Sequence, residues 1–339
     1  MGELRLAVFG CGFWAHYQVA AWRELAGVRV VAACDPQRER AESLAATYGI
    51  AAVYSDPAEL LRRETVDAVD IVSSVESHVA LVRLVAAHGL PAICQKPLAA
   101  SLSEAEALVA ACHRAGTPLI VHENWRWQAP LRAVKQALDS GAIGRVFRAR
   151  VEMISGFPLF ANQPALAEMP QFIMADLGPH TLDSARFLFG EPKRLYCTTA
   201  RVHPAIKGED VATVLLETDA ATVLVTMAYA ENYLERECFP QTLLFIEGER
   251  GSIELAPDYW VRVTTASGTH SRRHPPPRYA WADPAYDVVQ ASMVLCNANI
   301  LRALTGGPRA ETSGDDNLKT LRLVYGAYES AATGRPILV

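Results

Sequence analysis

The chain has 339 residues, half of them hydrophobic and a fifth charged, with 32 Lys and Arg against 37 Asp and Glu, a formal net charge of −5. That length exceeds one ordinary core and suits two domains, and the composition excludes a fibrous or disordered chain. Interspersed charges with a slight negative excess argue against nucleic acid or an anionic membrane as partner. No apolar run reaches spanning length and Leu4 opens directly into a strand pattern, so neither a signal peptide nor a transmembrane helix is expected. Seven cysteines are scattered without a C-x-x-C pair. They read as free thiols of a cytoplasmic protein, most of them buried, rather than as a disulfide frame or a zinc site.

The first third alternates strand and helix signals. Leu4 to Phe9 is a compact apolar strand, followed by Gly10-x-Gly12-x-x-Ala15 and a helix over 14–24. A second strand over 28–34 ends at Asp35-Pro36, and a helix follows over 37–48. A short strand near Val53 precedes a helix capped by Ser55 or Asp56. The run 68–74 is a fourth strand, with a helix over 77–88 behind it. Ala92 to Gln95 is a fifth strand, ending at Lys96-Pro97. Ser103 and Glu106 have capping-box spacing at the start of the next helix, and 119–122 is the last strand of this unit. Such alternation predicts a parallel sheet covered on both faces.

Past Glu123 the pattern changes. A helix over 130–140 is followed by strands over 145–154, 194–202, 211–217, 222–230, 242–247, 252–255 and 259–265. Their spacing predicts a mostly antiparallel sheet. The strand over 211–217 shows little polar alternation and reads as covered on both faces. The basic, proline-rich stretch 271–278 reads as a solvated extended loop, and two helices, over 285–304 and 315–333, close the chain. The expected architecture is an α/β Rossmann domain with a doubly wound parallel sheet over 1–123. An α+β domain with a large, mostly antiparallel open sheet should follow over 124–339.

The glycine turn stands where a dinucleotide fingerprint belongs, after a strand and at a helix mouth. Gly10 would make the tight turn and Gly12 would admit the pyrophosphate; Ala15 takes the third position, where only close helix packing is needed. Asp35 lies at the fingerprint distance and would accept ribose hydroxyls and repel a 2′-phosphate, favouring NAD. Arg38 is a counter-signal: it would stack on adenine or meet a phosphate (NADP), or be a solvated helix arginine. Phe13 and Trp14 either shape the nicotinamide side or pack their helix. Ser73, Ser74 and Gln95 end neighbouring strands and join the expected cofactor contacts, because ligands sit outside the carboxyl ends of such strands. Lys96 falls there too, placed to contact the cofactor and to move a proton as the cofactor moves a hydride.

A second block runs from Asp176 through His180 to Asp183. From Pro179 its apolar residues recur at helical spacing, and the three titratable groups at i, i+4 and i+7 share one face. Such groups on an apolar helix need partners, and with Lys96 they make a proton-transfer set. Read singly, Asp176 is an N-cap and His180 a satisfied core histidine. No metal site is expected, since Asp-x3-His without a cysteine partner is not specific for one.

Taken together, Gly10-Cys11-Gly12, Cys34-Asp35-Pro36, Gln95-Lys96-Pro97-Leu98 and Asp176-x-Gly178-x-His180-x-x-Asp183 resemble the Gfo/Idh/MocA oxidoreductases over almost the whole chain. The resemblance implies NAD or NADP and a sugar, inositol or related polyol, held at a cleft formed by both domains. It also implies a homodimer or homotetramer built on the open sheet. It places the catalytic lysine on Lys96, the second-domain Asp and His on Asp176 and His180, and a substrate-contacting acid on Asp183. His78 matches a histidine structural or peripheral to the cofactor. Asn124 and Arg126 lie in the crossing segment and would reach cofactor or substrate, with Trp125 and Trp127 packing between domains. The cis bond before Pro97 is implied as well. One departure is Gln95 where the family usually has Glu; without that carboxylate Lys96 should deprotonate more easily. Two other readings remain at this level: a relative that uses bound NAD for transient oxidation in glycoside cleavage, and a non-catalytic nucleotide or sugar sensor.

Overall fold

The computed structural model describes residues 2–156, 159–230, 238 and 240–339. By contacts the chain forms two units. The first contains Met1–Asn124, Tyr279–Asp283 and Met293–Lys319; the second contains Trp125–Arg278, Pro284–Ser292 and Thr320–Val339. A single boundary at 123/124 therefore misses two late returns to the first unit. Their physical reason is packing. Met293, Val294, Tyr279 and Trp281 cluster with Ala21, Trp14 and Tyr17, and the Trp281 indole donates to Glu24 at 2.9 Å. Val121 N also donates to Thr312 O at 2.8 Å.

The first unit runs β1 (Leu4–Phe9), α1 (Phe13–Arg23), β2 (Val28–Cys34), α2 (Arg38–Tyr48), β3 (Ala52–Tyr54), α3 (Pro57–Arg63), β4 (Ala68–Ile71), α4 (Val75–Ala87), β5 (Ala92–Gln95), α5 (Leu102–Ala115) and β6 (Leu119–His122). Its six strands are parallel in the order β3-β2-β1-β4-β5-β6. This is the doubly wound order, with its switch point between β1 and β4. β4, β5 and β6 are buried at every residue, as a sheet covered on both faces requires. Asp56 caps α3 through Ala58 N, and Pro57 follows at the first helical position. The cap of α5 is Ser101 with Glu104, not Ser103 with Glu106. Both pairs have the same spacing, and only the entry of the chain chooses between them.

The second unit opens with a 3₁₀ turn (Trp125–Trp127) and α6 (Ala129–Asp139). Next come β7 (Val146–Ser155) and the short helices α7 (Leu159–Asn162) and α8 (Ile173–Asp176), then α9 (Gly178–Phe189). Residues 157–158, between β7 and α7, lie outside the described residues. Then follow β8 (Arg194–Ala200), β9 (Val211–Glu217), β10 (Thr222–Tyr229), β11 (Leu243–Gly248), β12 (Gly251–Ala256), β13 (Trp260–Thr265) and β14 (Gly268–Arg273). The chain closes with α10 (Asp287–Gln290), α11 (Ser292–Leu304), α12 (Gly314–Thr333) and β15 (Ile337–Leu338). The nine-stranded sheet has the order β14-β13-β12-β11-β7-β10-β9-β8-β15 and is antiparallel except for β7 against β10.

Two expectations change here. The basic stretch begins as edge strand β14, paired with β13, rather than as a loop. β9 alternates buried and half-exposed, so only one of its faces is covered by the described residues. Its other face belongs to a row running Tyr196, Leu215, Leu224, Arg150 and Phe245 across five strands, and this row stays half-exposed or exposed.

Candidate active site

In the first unit the switch point carries the cofactor signals. Gly10 has φ +89°, and a Cβ there would lie 2.6 Å from Val72 O and 2.8 Å from Ser73 Cα. The turn after β1 and the turn after β4 therefore close on each other at a place only glycine allows. Gly12 is the N-cap of α1, extended at φ −77° and ψ −168°, and a Cβ on it would meet none of the described residues within 4 Å. The first turn of α1 holds no acidic residue. Open space at the mouth of a helix with no competing carboxylate fits a pyrophosphate.

Asp35 is buried and accepts Cys11 N at 2.8 Å on one oxygen and Gln37 N at 2.9 Å on the other. It thus braces the glycine turn and opens the approach to α2, while each oxygen keeps a second lone pair for a ribose hydroxyl. Arg38 pairs with Glu42 one helical turn on, at 2.8 Å, with both side chains exposed. Trp14 packs into the core under α1, so its packing reading holds, whereas Phe13 is 75% exposed.

Ser73 accepts from Ser77 Oγ at 2.6 Å, and Ser74 is the N-cap of α4. His78 is buried, its ring nitrogens 2.9 Å from Pro97 O and 3.1 Å from Ser73 O. It ties the turn after β4 to the turn after β5, a structural role, and burial holds its pKa below the usual imidazole value. Lys96 follows β5, half-buried, and the Lys96–Pro97 bond is cis.

Gln95 is engaged within its own unit. Its amide points inward, donating to Gln18 Oε1 and towards His122 Nδ1 at 3.3 Å, while Gln95 Oε1 accepts Lys96 N at 3.2 Å. Asn124, the last residue of this unit's first segment, is buried.

In the second unit α8 and α9 meet at Leu177. His180 is buried and stacks on Trp125, with ring centroids 4.5 Å apart and planes 20° from parallel. Trp125 is itself held by a 2.9 Å bond from its indole to Thr242 Oγ1. Asp176 stands half-buried at the end of α8. Glu209 fixes that helix: its Oε1 accepts Phe172 N and Met174 N at 3.2 Å and Tyr328 OH at 2.8 Å. Tyr229 lies near by; burial pushes its hydroxyl pKa well up, and the Asp176 charge adds to this.

Asp183 is a correction. It is wholly buried and takes Arg126 Nε at 2.7 Å and Nη2 at 2.5 Å, with Thr320 Oγ1 at 3.1 Å and Arg186 at 3.7 Å. Arg126 and Asp183 thus form a bidentate buried pair beside Trp125, which leaves Asp183 no exposed surface for the substrate contact expected of it. Trp127 also works inside this unit, with the Arg132 guanidinium 3.4 Å from its ring centroid. Sequence reasoning missed Trp125 as partner of His180, and missed Thr242 and Glu209 altogether. All three act across long sequence gaps, so no local signal marks them. Among the described residues, no group of three or more His, Cys, Asp or Glu is gathered to hold a metal ion, and no helix is long and apolar enough to cross a membrane.

Residues 4–123 match the family described as "Oxidoreductase family, NAD-binding Rossmann fold", and residues 131–254 match the GFO/IDH/MocA C-terminal domain. A D-apiose dehydrogenase of Paraburkholderia graminis is 46% identical over 332 residues, covering 98% of this chain and 88% of that protein. The chain belongs to the GFO/IDH/MocA oxidoreductase family.

A D-apiose dehydrogenase of Rhizobium rhizogenes is likewise 46% identical, over 99% of this chain and 98% of that protein. An oxidoreductase from Agrobacterium radiobacter, solved in complex with NAD+, L-tartaric acid and magnesium, superposes with a TM-score of 0.96 at 46% identity, covering 99% of this chain and 98% of that one. The first unit of this oxidoreductase is thus an NAD-binding Rossmann domain.

Proposed function

We propose that the chain is an NAD-dependent dehydrogenase of a small sugar, oxidising a hemiacetal or secondary alcohol, with D-apiose and related aldoses as the leading substrates and cyclic polyols second. The observation that carries this is the 46% identity to two D-apiose dehydrogenases along nearly the whole chain. NAD, when bound, takes the hydride from the carbinol carbon. The hydroxyl proton leaves separately and needs a base. Lys96 and His180 are the acid/base pair; Asp176 orients, and Trp125 holds the His180 ring. Asp35 favours NAD over NADP, because its carboxylate repels a 2′-phosphate and Arg38 is occupied by Glu42.

The half-exposed row across β8, β9, β10, β7 and β11 supports a homo-oligomer joined through the open sheet, since one apolar-rich face is left for a second copy. Seven free cysteines support a cytoplasmic location.

The test is nicotinamide reduction across aldoses and inositols, with NAD+ and NADP+ in parallel. Reduction with NAD+ and D-apiose is expected, falling about 10²–10⁴-fold in Lys96→Ala and in His180→Ala. No turnover with any substrate despite tight NAD+ binding would refute the reading and favour internal redox or sensing.

A further inference from the structure

Asp70 is a lone carboxylate in the apolar strand β4, fully buried. Among the described residues its hydrogen-bond partners are donors only. Gln18 Nε2 lies 2.7 and 2.8 Å from its two oxygens, and Trp22 Nε1 lies 2.7 Å from Oδ2. No lysine or arginine is among the groups that shift it; the titratable neighbours facing it are His122 and Cys94. A buried carboxylate without a cation must be held by hydrogen bonds.

That requirement sets the direction of a whole chain of amides. Because Asp70 takes the NH₂ of Gln18, Gln18 must present its oxygen to Gln95. Gln95 must then turn its NH₂ to Gln18 and His122, and its oxygen to Lys96 N. His122 Nδ1 is left as an acceptor, so its proton sits on Nε2, 2.9 Å from Asn297 Oδ1. Each orientation is forced by the previous one, and the last holds the backbone of Lys96.

We propose that Asp70, acting through Gln18 and Gln95, is a positioning residue for Lys96, and that it is the reason residue 95 carries an amide rather than a carboxylate. A glutamate at 95 would face Gln18 Oε1 with an oxygen, and Gln18 cannot turn without placing its own oxygen on Asp70. An asparagine at 70 would offer a donor to Gln18 where it now offers an acceptor. The two changes together repair the link through 70, 18 and 95, and the lost contact with His122 Nδ1 is the part of each loss that is not regained. The asparagine at 70 gives its NH₂ to a reversed Gln18. The NH₂ of Gln18 then serves the acceptor-only glutamate at 95, which still accepts Lys96 N. The link to turnover rests on the proposed catalytic role of Lys96; the pairing of 70 with 95 does not.

The experiment compares Asp70→Asn, Gln95→Glu and the double variant with the parent protein. Thermal unfolding is followed without cofactor, NAD+ affinity by fluorescence titration, and kcat with the best aldose of the panel. Each single change should lower the unfolding midpoint by about 4 °C or more. Each should lower kcat about tenfold, a misplacement effect, with NAD+ affinity within about twofold of the parent. The double variant should regain at least half of both losses. Losses that add in the double variant, or a Gln95→Glu variant equal to the parent, would overturn the proposal. Repaired stability with unrepaired kcat would overturn the positioning role. If Asp70→Asn yields no folded protein, a double variant that folds supports the pairing and one that does not overturns it. A Lys96→Ala variant that still turns over would instead remove the functional reading and leave the amide chain standing.

Discussion

The two glycines of the nucleotide turn should fail in opposite ways when a methyl group is added. Gly10→Ala puts a Cβ on a residue at φ +89°, 2.6 Å from a backbone carbonyl that cannot swing aside. The left-handed conformation costs about 1–2 kcal/mol and overpacking against backbone about 1–3 kcal/mol, so a loss of about 2–5 kcal/mol is expected. Gly12→Ala meets neither problem: its φ is −77° and none of the described residues lies within 4 Å of the new atom. The gain from a stiffer unfolded chain and the loss of a helix-cap glycine nearly cancel, leaving stability within about 0.5 kcal/mol. The new methyl instead occupies the mouth of α1. Displacing a phosphate from those amides removes charge-assisted bonds worth about 1.5–3 kcal/mol, or about 10–150-fold in NAD+ affinity. Urea unfolding without cofactor and NAD+ titration separate the two effects. An unchanged NAD+ affinity in Gly12→Ala would refute the placing of the pyrophosphate at α1, and an unchanged stability in Gly10→Ala would refute the close approach to Val72.

Three further outcomes follow from the buried groups. Asp183→Asn leaves Arg126 and the nearby Arg186 without their shared carboxylate, and should destabilise by about 3–5 kcal/mol in urea unfolding; a loss below about 1 kcal/mol would show that Asp183 is not the anchor. Glu209→Ala removes the acceptor of Phe172 N and Met174 N, so α8 loosens under Asp176 and kcat should fall about tenfold, with NAD+ affinity unchanged. An unaltered kcat there would free Asp176 from Glu209. The Cys11 and Cys34 thiols are pushed up to about 12, chiefly by burial, with the Asp35 carboxylate adding to each. At pH 8 only about 1 in 10⁴ of each is thiolate, so iodoacetamide should label the less buried Cys238 first; Cys11 reacting as fast as free cysteine at pH 8 would contradict this.

What could be read from the sequence, and what could not, divides by range. The cofactor half is written in consecutive βα units, so Gly10, Gly12 and Asp35 carry their meaning within a few dozen residues, and their chemistry is visible in order. The second half is assembled across the chain: His180 rests on Trp125, Trp125 on Thr242, and α8 on Glu209. Helical spacing put Asp183 on the face of His180, but a face does not state what it meets, and here it meets a buried arginine. The two equal capping pairs before α5 show the same limit at close range, since spacing alone cannot choose between Ser101 and Ser103.

Asp70 is the instructive case, because its oddity was in plain view. A single acid inside Ala-Val-Asp-Ile-Val cannot be a solvated charge if the strand is covered on both faces. It must have partners, and the polar residues in otherwise apolar elements are the places to seek them. Gln18 in the middle of α1, Gln95 at the end of β5 and His122 at the end of β6 are such residues, and the fold brings all of them to Asp70 or to one another. The identity of residue 95 is then a consequence of residue 70. One buried carboxyl group can be satisfied by a row of amides, while a second in the same row has no donor left to meet it.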